Sequence, residues 1–411
     1  MTGNSLARPI GRRPARQFAD APVVRRLVAM FAALFLVLIA GLSASAEEKA
    51  TPAFETRATQ AYLIEASTGT ILLSKNATKT LAPASLAKMM TLEVVFDALK
   101  RGEVSLDTVY KVSEHAWRTG GAPSRTSTMF AALNSLVRVE DLLKGVAVQM
   151  ANDGCIVLAE GMAGSEEKFA ERMNARAAAI GLTDTHFANP TGLPDPANRT
   201  TVKDMVTLAR HLQTTYPDYY RLLSLPDFEW NKIYQRNRNP MLAAGIGADG
   251  LATGFAEGEG FSILTSAEQN GRRLFLATGG LATDKDRREE AVRLLKWGFE
   301  NFEMRELFKA GETIGQASVY GGERGKVDLV ATTPVEVYVP VTNPERLAAR
   351  IAYRWPLDAP VSEGQDVGTL RITAGDRLLR EVPLKTAAAV GPGTLRQKAT
   401  DALIELLFFW L

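Results

Sequence analysis

Apolar and polar positions change their period several times along this chain, and each change marks a structural element. Residues 61–74, AYLIEASTGTILLS, place two apolar runs on either side of a Ser-Thr-Gly turn, which predicts a β-hairpin. A helical period follows around 85–101, 139–162, 166–180 and 201–215. FSILTSA and RRLFLATGG, around 260–279, predict two more strands joined at Gln269-Asn270-Gly271. Residues 284–309 return to a helical pattern. Strands at both ends with helices between them predict an α/β domain, an antiparallel sheet flanked by helices, over residues 47–310.

The pattern then shortens. VDLVA, VEVYVP, RIAYRW, TLRIT and REVPL alternate within 311–390 and are separated by turn residues, which predicts a small β-sandwich domain. It carries no cluster of chemistry-bearing side chains, so a spacer or interaction module is expected. After Gly391-Pro392-Gly393, residues Leu395, Ala399, Ala402, Leu403, Leu406, Phe409 and Trp410 recur at helical spacing. Arg396, Lys398, Asp401 and Glu405 take the other face. This segment, 391–411, is too short to span a bilayer and predicts an amphipathic helix lying on a membrane surface. At the other end, six arginines precede an apolar run from Leu27 to Leu42 and a small-x-small site, Ala44-Ser45-Ala46. Residues 1–46 therefore predict a cleaved signal peptide and an exported protein.

Composition narrows the function classes. A net charge of +2 over 411 residues lacks the basic excess that tracks phosphates, so no nucleic-acid partner is expected. The single cysteine, Cys155, cannot form an internal disulfide and sits in an apolar helical pattern, as a buried small hydrophobe would. His115, His186 and His211 lie in no metal-binding spacing, and there is no G-x-S-x-G elbow. Neither a metal nor another cofactor is predicted, and His186 reads as a loop-fixing or core residue, not a base.

The candidate chemistry starts at Ser85-x-x-Lys88 in APASLAKMMT. Residues three apart share a helix face, so hydroxyl and amine can meet, and a neutral lysine can take the serine proton. Ala-Pro-Ala ahead of Ser85 places it at a helix start, where negative charge is stabilised. Asn152 follows in VQMANDGCIVLAE, and Thr253-Gly254 in GADGLATGF. That order matches the three short motifs of penicillin-binding proteins and β-lactamases.

With these motifs, and with AYLIEASTGTILLSKNA, THFANPTGLPD and QRNRNP, the mature chain resembles the low-molecular-mass penicillin-binding D-alanyl-D-alanine carboxypeptidases. The resemblance implies a transpeptidase/β-lactamase-like fold and removal of the terminal D-Ala from peptidoglycan stem peptides through an acyl-enzyme. It also implies acylation by β-lactams, and attachment to the outer face of the inner membrane from the periplasm. On it, Ser85 is the nucleophile and Lys88 its base. Asn152 holds the substrate amide and the lysine, and Thr253, Gly254 and Phe255 form the substrate wall. The backbone N–H groups of Ser85 and Phe255 form the oxyanion hole.

Two positions depart from the family pattern. Met150 stands where the asparagine motif begins with serine, and Ala252 where the third motif begins with lysine. Both lost groups are expected to face the pocket. The lysine would attract the substrate carboxylate and hold Lys88 neutral by like-charge repulsion. The serine would relay protons. Two readings follow: an impaired or compensated carboxypeptidase, with Arg236 or Arg238 as replacement charge, or an inactive member that binds stem peptides or a cell-wall enzyme. A β-lactamase is disfavoured by the tail domain and the terminal helix.

Overall fold

The computed structural model describes residues 54–342 and 346–408. The expected signal segment, 1–46, and the last residues of the terminal helix, 409–411, lie outside the described residues.

A five-stranded antiparallel sheet forms the centre of the larger part, in the order β2-β1-β9-β8-β7. Its strands are β1 (Gln60–Glu65), β2 (Ile71–Lys75), β7 (Ala248–Ala256), β8 (Gly260–Gln269) and β9 (Arg272–Leu281). The β8–β9 turn uses Asn270 and Gly271, both at positive φ, as a two-residue hairpin of the right twist requires. Between β2 and β7 come α1 (Lys88–Lys100), β3 (Val109–Lys111), α2 (Glu114–Thr119) and β4 (Leu136–Arg138). They are followed by α3 (Val139–Gln149), α4 (Asn152–Ala163), α5 (Glu166–Ala179) and α6 (Val202–Thr215). A hairpin of β5 (Asp227–Trp230) and β6 (Ile233–Arg236) leads into β7.

The sheet is covered on both faces, which is why β1, β8 and β9 read as nearly continuous apolar runs. Tyr62, Ile64, Phe275 and Ala277 join one core with residues of α1, α3, α4 and α6. On the other face, α7 (Asp284–Glu300) lies close because Gly298 has no side chain. A Cβ there would come within 2.8 Å of Leu274 Cδ1 and 3.0 Å of Leu63 Cδ2.

Two helical expectations are corrected. The pattern over 284–309 ends as a helix at Glu300, and Phe302–Phe308 is strand β10, paired with β13 (Val335–Pro340). The pattern over 139–162 is two helices, because Met150 closes α3 in the left-handed region at φ 54° and ψ 39°. The break puts Asn152 at the first position of α4 instead of inside one long helix.

The remaining strands are β11 (Thr313–Tyr320), β12 (Lys326–Val330), β14 (Leu347–Tyr353), β15 (Leu357–Asp358), β16 (Asp366–Ala374) and β17 (Arg377–Thr386). They form a six-stranded sheet that shares an apolar core with Val335, Val337 and Val339 of β13. A terminal helix, α8 (Leu395–Phe408), is tied at its start to this module. Gly321 N donates to Asp401 at 2.9 Å, and Gln397 Nε2 to Glu323 O at 3.0 Å.

Candidate active site

Ser85 and Lys88 are brought together by a local device sharper than an α-helix. Residues Ala84–Ala87 form a 3-10 turn that runs directly into α1. In that geometry side chains three apart eclipse each other. Lys88 Nζ lies 3.0 Å from Ser85 Oγ and donates to it, and also donates to the Thr191 carbonyl at 2.5 Å. The turn carries strain: Ala84 has φ 45°, costly for a residue with a Cβ. Gly192 makes room for it, since a Cβ at 192 would come 1.7 Å from the Ala84 carbonyl oxygen.

Lys88 is 1% exposed. Burial brings its pKa down to about 8, the Cys155 thiol works against the shift, and the positive charge of Arg238 adds to it. Roughly a tenth of this amine is therefore neutral at pH 7, far more than for an exposed lysine, and the neutral form is what a proton acceptor for serine needs.

The wall holding Thr191 is the THFANPTGLPD segment. Asn189 Oδ1 accepts from Thr191 Oγ1 at 2.9 Å and from Gly192 N at 2.8 Å, fixing the loop that receives Lys88. His186 stays out of the cleft, bonded to the Ala197 carbonyl at 3.1 Å, in keeping with a loop-fixing role.

The opposite wall starts at Asn152. Its backbone N–H donates to Ser127 O at 2.7 Å and its Nδ2 to Thr126 Oγ1 at 3.0 Å. Its Oδ1 is buried without a partner among the described residues, and no hydrogen bond joins it to Lys88. Asp153 collects Thr128 Oγ1 at 2.6 Å and the backbone N–H groups of Met129 and Ala131, each at 3.0 Å. These bonds clamp the segment that presents Thr126 and Ser127. Arg238 completes the wall: Nη1 donates to Ser127 Oγ at 3.0 Å and Nε to Gln149 Oε1 at 3.1 Å.

These groups surround one cleft of about 420 Å³ that Ser85, Lys88, Thr126, Ser127, Asn152, Arg238 and Phe255 all line. Arg236 does not line it, so of the two candidate replacement charges only Arg238 is in place. The edge strand β7 borders the cleft. Thr253 and Gly254 lie within this strand. Gly254 is required by close packing: a Cβ would sit 2.6 Å from Ser262 Oγ and 3.4 Å from Ala84 Cβ. Phe255 is 56% exposed, with its ring centroid 4.6 Å from that of Phe261. Thr253 is half-buried and is not among the cleft-lining residues.

Met150 and Ala252 are buried in the apolar core shared by the sheet and the helices, and neither lines the cleft. Alanine is too short to reach it, and the methionine side chain packs inward. Sequence reasoning missed Ser127, Thr126, Asp153 and the Thr191 carbonyl, none of which carries a local signal. It also missed Arg287, a buried arginine whose Nη1 donates to Gly254 O at 3.4 Å.

A serine hydroxyl beside a buried amine, with an unpaired carboxamide oxygen and a fixed cation across the cleft, can form and break an acyl bond on an anionic peptide. Comparison with known proteins gives the same reading. Residues 45–281 match the D-alanyl-D-alanine carboxypeptidase family profile, and residues 302–392 the profile of the penicillin-binding protein 5 C-terminal domain. The chain is 35% identical over 380 residues to D-alanyl-D-alanine carboxypeptidase DacC of Escherichia coli, covering 92% of this chain and 94% of that protein. A solved structure of penicillin-binding protein 5 from Haemophilus influenzae superposes with a TM-score of 0.70 at 34% identity, covering 83% of this chain and 99% of that one. Penicillin-binding protein D2 of Listeria monocytogenes, solved in an ampicillin-bound form, superposes at 0.54 with 26% identity, covering 61% of this chain and 100% of that one. Motifs, fold and comparisons converge: the chain belongs to the D-alanyl-D-alanine carboxypeptidase family of low-molecular-mass penicillin-binding proteins.

Proposed function

We propose that this chain is a serine-type D-Ala-D-Ala carboxypeptidase that releases the terminal D-Ala of peptidoglycan stem peptides through an acyl-enzyme on Ser85. The observation that carries this reading is the buried Lys88 amine 3.0 Å from Ser85 Oγ. Lys88 takes the serine proton as Oγ attacks the penultimate D-Ala carbonyl. The N–H groups of Ser85 and Phe255 receive the oxyanion. The unpaired Asn152 Oδ1 accepts the substrate amide N–H, and Arg238, which lines the cleft, binds the terminal carboxylate. Strand β7 ends the sheet, so an extended stem peptide can add along its free edge. β-Lactams, which mimic this substrate, acylate the same serine.

In this reading residues 1–46 direct export to the periplasm, residues 47–310 carry the chemistry and residues 311–390 hold that domain away from the inner membrane. Helix α8 rests on the membrane's outer face. No helix among the described residues is long and apolar enough to cross a membrane. Leu395 and Leu403 on α8 are 87% and 56% exposed, which supports a surface-lying helix.

One observation favours a second reading. Met150 and Ala252 remove the hydroxyl and the charge that the resemblance assigns to catalysis, as in an inactive protein that only binds stem peptides or a cell-wall enzyme. The decision lies in D-Ala release from diacetyl-Lys-D-Ala-D-Ala. Turnover by the wild type that is lost in Ser85→Ala supports the enzyme. A folded wild type without turnover leaves the binding protein.

A further inference from the structure

With Met150 in place of serine, the cleft needs another hydroxyl to protonate the leaving amine. We propose that Ser127, held by Arg238, supplies that proton; the proposal rests on the reading of Ser85 as nucleophile and Lys88 as base. Ser127 lines the same cleft as both. Its Oγ accepts from Arg238 Nη1 at 3.0 Å, and among the described residues that hydroxyl donates to nothing. Its proton is therefore free to point into the cleft. A guanidinium donor also makes the hydroxyl a better acid, because positive charge favours the ionised form. Thr126 is the weaker candidate. Its Oγ1 already accepts from Asn152 Nδ2 and shares a 2.7 Å bond with Ser124 Oγ.

The position of Ser127 is built, not incidental. Its carbonyl is fixed by Asn152 N at 2.7 Å, and Asp153 clamps the residues that follow it. Arg238 is fixed in turn, with its backbone N–H on Val148 O at 3.0 Å and Nε on Gln149 at 3.1 Å. A cation and a hydroxyl thus stand together across from Ser85, which is the pairing that Ala252 and Met150 no longer provide.

The step balances as follows. Ser85 Oγ bonds to the carbonyl carbon while its proton passes to Lys88. When the tetrahedral adduct collapses, the C–N bond breaks and the nitrogen takes the Ser127 proton. Ser127 regains a proton from the Lys88 ammonium through cleft water, and D-alanine leaves as the amine.

The test compares diacetyl-Lys-D-Ala-D-Ala with the depsipeptide ending in D-lactate, using the full chain. An alkoxide leaves with far less help from a proton donor than an amine does. Ser127→Ala should lower kcat/KM on the peptide about 10²-fold or more, as loss of a general acid does. The depsipeptide should lose less than a tenth of that factor, KM should hold on both, and Ser127→Thr should recover peptide turnover. Equal losses on the two substrates would mean a structural role only and overturn the proposal. So would an unchanged peptide rate in a folded Ser127→Ala. A wild type inert on both substrates removes the carboxypeptidase reading itself, and this proposal with it.

Discussion

Changing pH should switch the Ser85–Lys88 pair on and off in a range set by the burial of Lys88. An exposed lysine would be almost wholly charged at neutral pH and useless as a base. Here burial, helped by Arg238, brings the pKa from 10.5 to about 8. That is a differential of about 3 kcal/mol between the two protonation states. Only the neutral amine accepts the serine proton, so the reactive fraction grows as pH rises through the folded pKa. At pH 7 roughly one lysine in ten is neutral, and at pH 9 roughly nine in ten, from the same pKa arithmetic. The second-order constant for acylation by a fluorescent penicillin should therefore rise about tenfold between those values and level off above pH 9. Arg238→Gln removes the like charge that lowers the Lys88 pKa, so the rising limb should move to higher pH. Lys88→Arg should abolish it, because a guanidinium does not deprotonate. Stopped-flow or gel-based acylation across pH 6–10 reads all three. A flat wild-type profile, or a limb that persists in Lys88→Arg, would refute the assignment of Lys88 as base.

Two further outcomes follow from buried positions and from the terminal helix. Ala252 is fully buried in the same apolar core as Met150, so Ala252→Lys alone should lower Tm by placing an ammonium there, and Met150→Ser alone should cost about 2–5 kcal/mol as a large-to-small core change. Gly254, on the same strand face as Ala252, packs near Ala84, so in the double variant the lysine would run toward the nucleophile turn with a serine partner. The double should unfold at a higher temperature than the sum of its singles predicts and acylate about 10²–10³-fold faster than wild type; strict additivity in thermal unfolding would show that the two positions are independent. Truncation after Pro392 should release the protein from the membrane fraction, and a truncated form that still sediments with membranes would remove α8 as the anchor.

The legible parts of the chain were those whose signal is local. The β8–β9 hairpin could be read because Asn270-Gly271 supplies two residues suited to positive φ. Ser85 and Lys88 could be paired because a spacing of three brings side chains together in either kind of helix. The break at Met150 could not be read, since methionine is a good helix former and rarely adopts the left-handed region. That ending of α3 is what carries Asn152 to the cleft. The strand β10 was hidden because Phe302 and Met304 continue the apolar spacing of α7 past its end. The walls of the cleft were the least legible part. Thr191 and Arg238 approach Ser127, Asn152 and Lys88 from distant segments, and nothing within their own stretches of sequence announces the meeting.

The central claim is that Ser85 is a working nucleophile despite Met150 and Ala252, and intact-mass spectrometry after exposure to benzylpenicillin tests it most directly. The account predicts that the wild-type mass increases by one penicilloyl group, that peptide mapping places the adduct on Ser85, and that Ser85→Ala shows no increase. An adduct that survives in Ser85→Ala, or a folded wild type that stays unmodified at saturating penicillin, would contradict it.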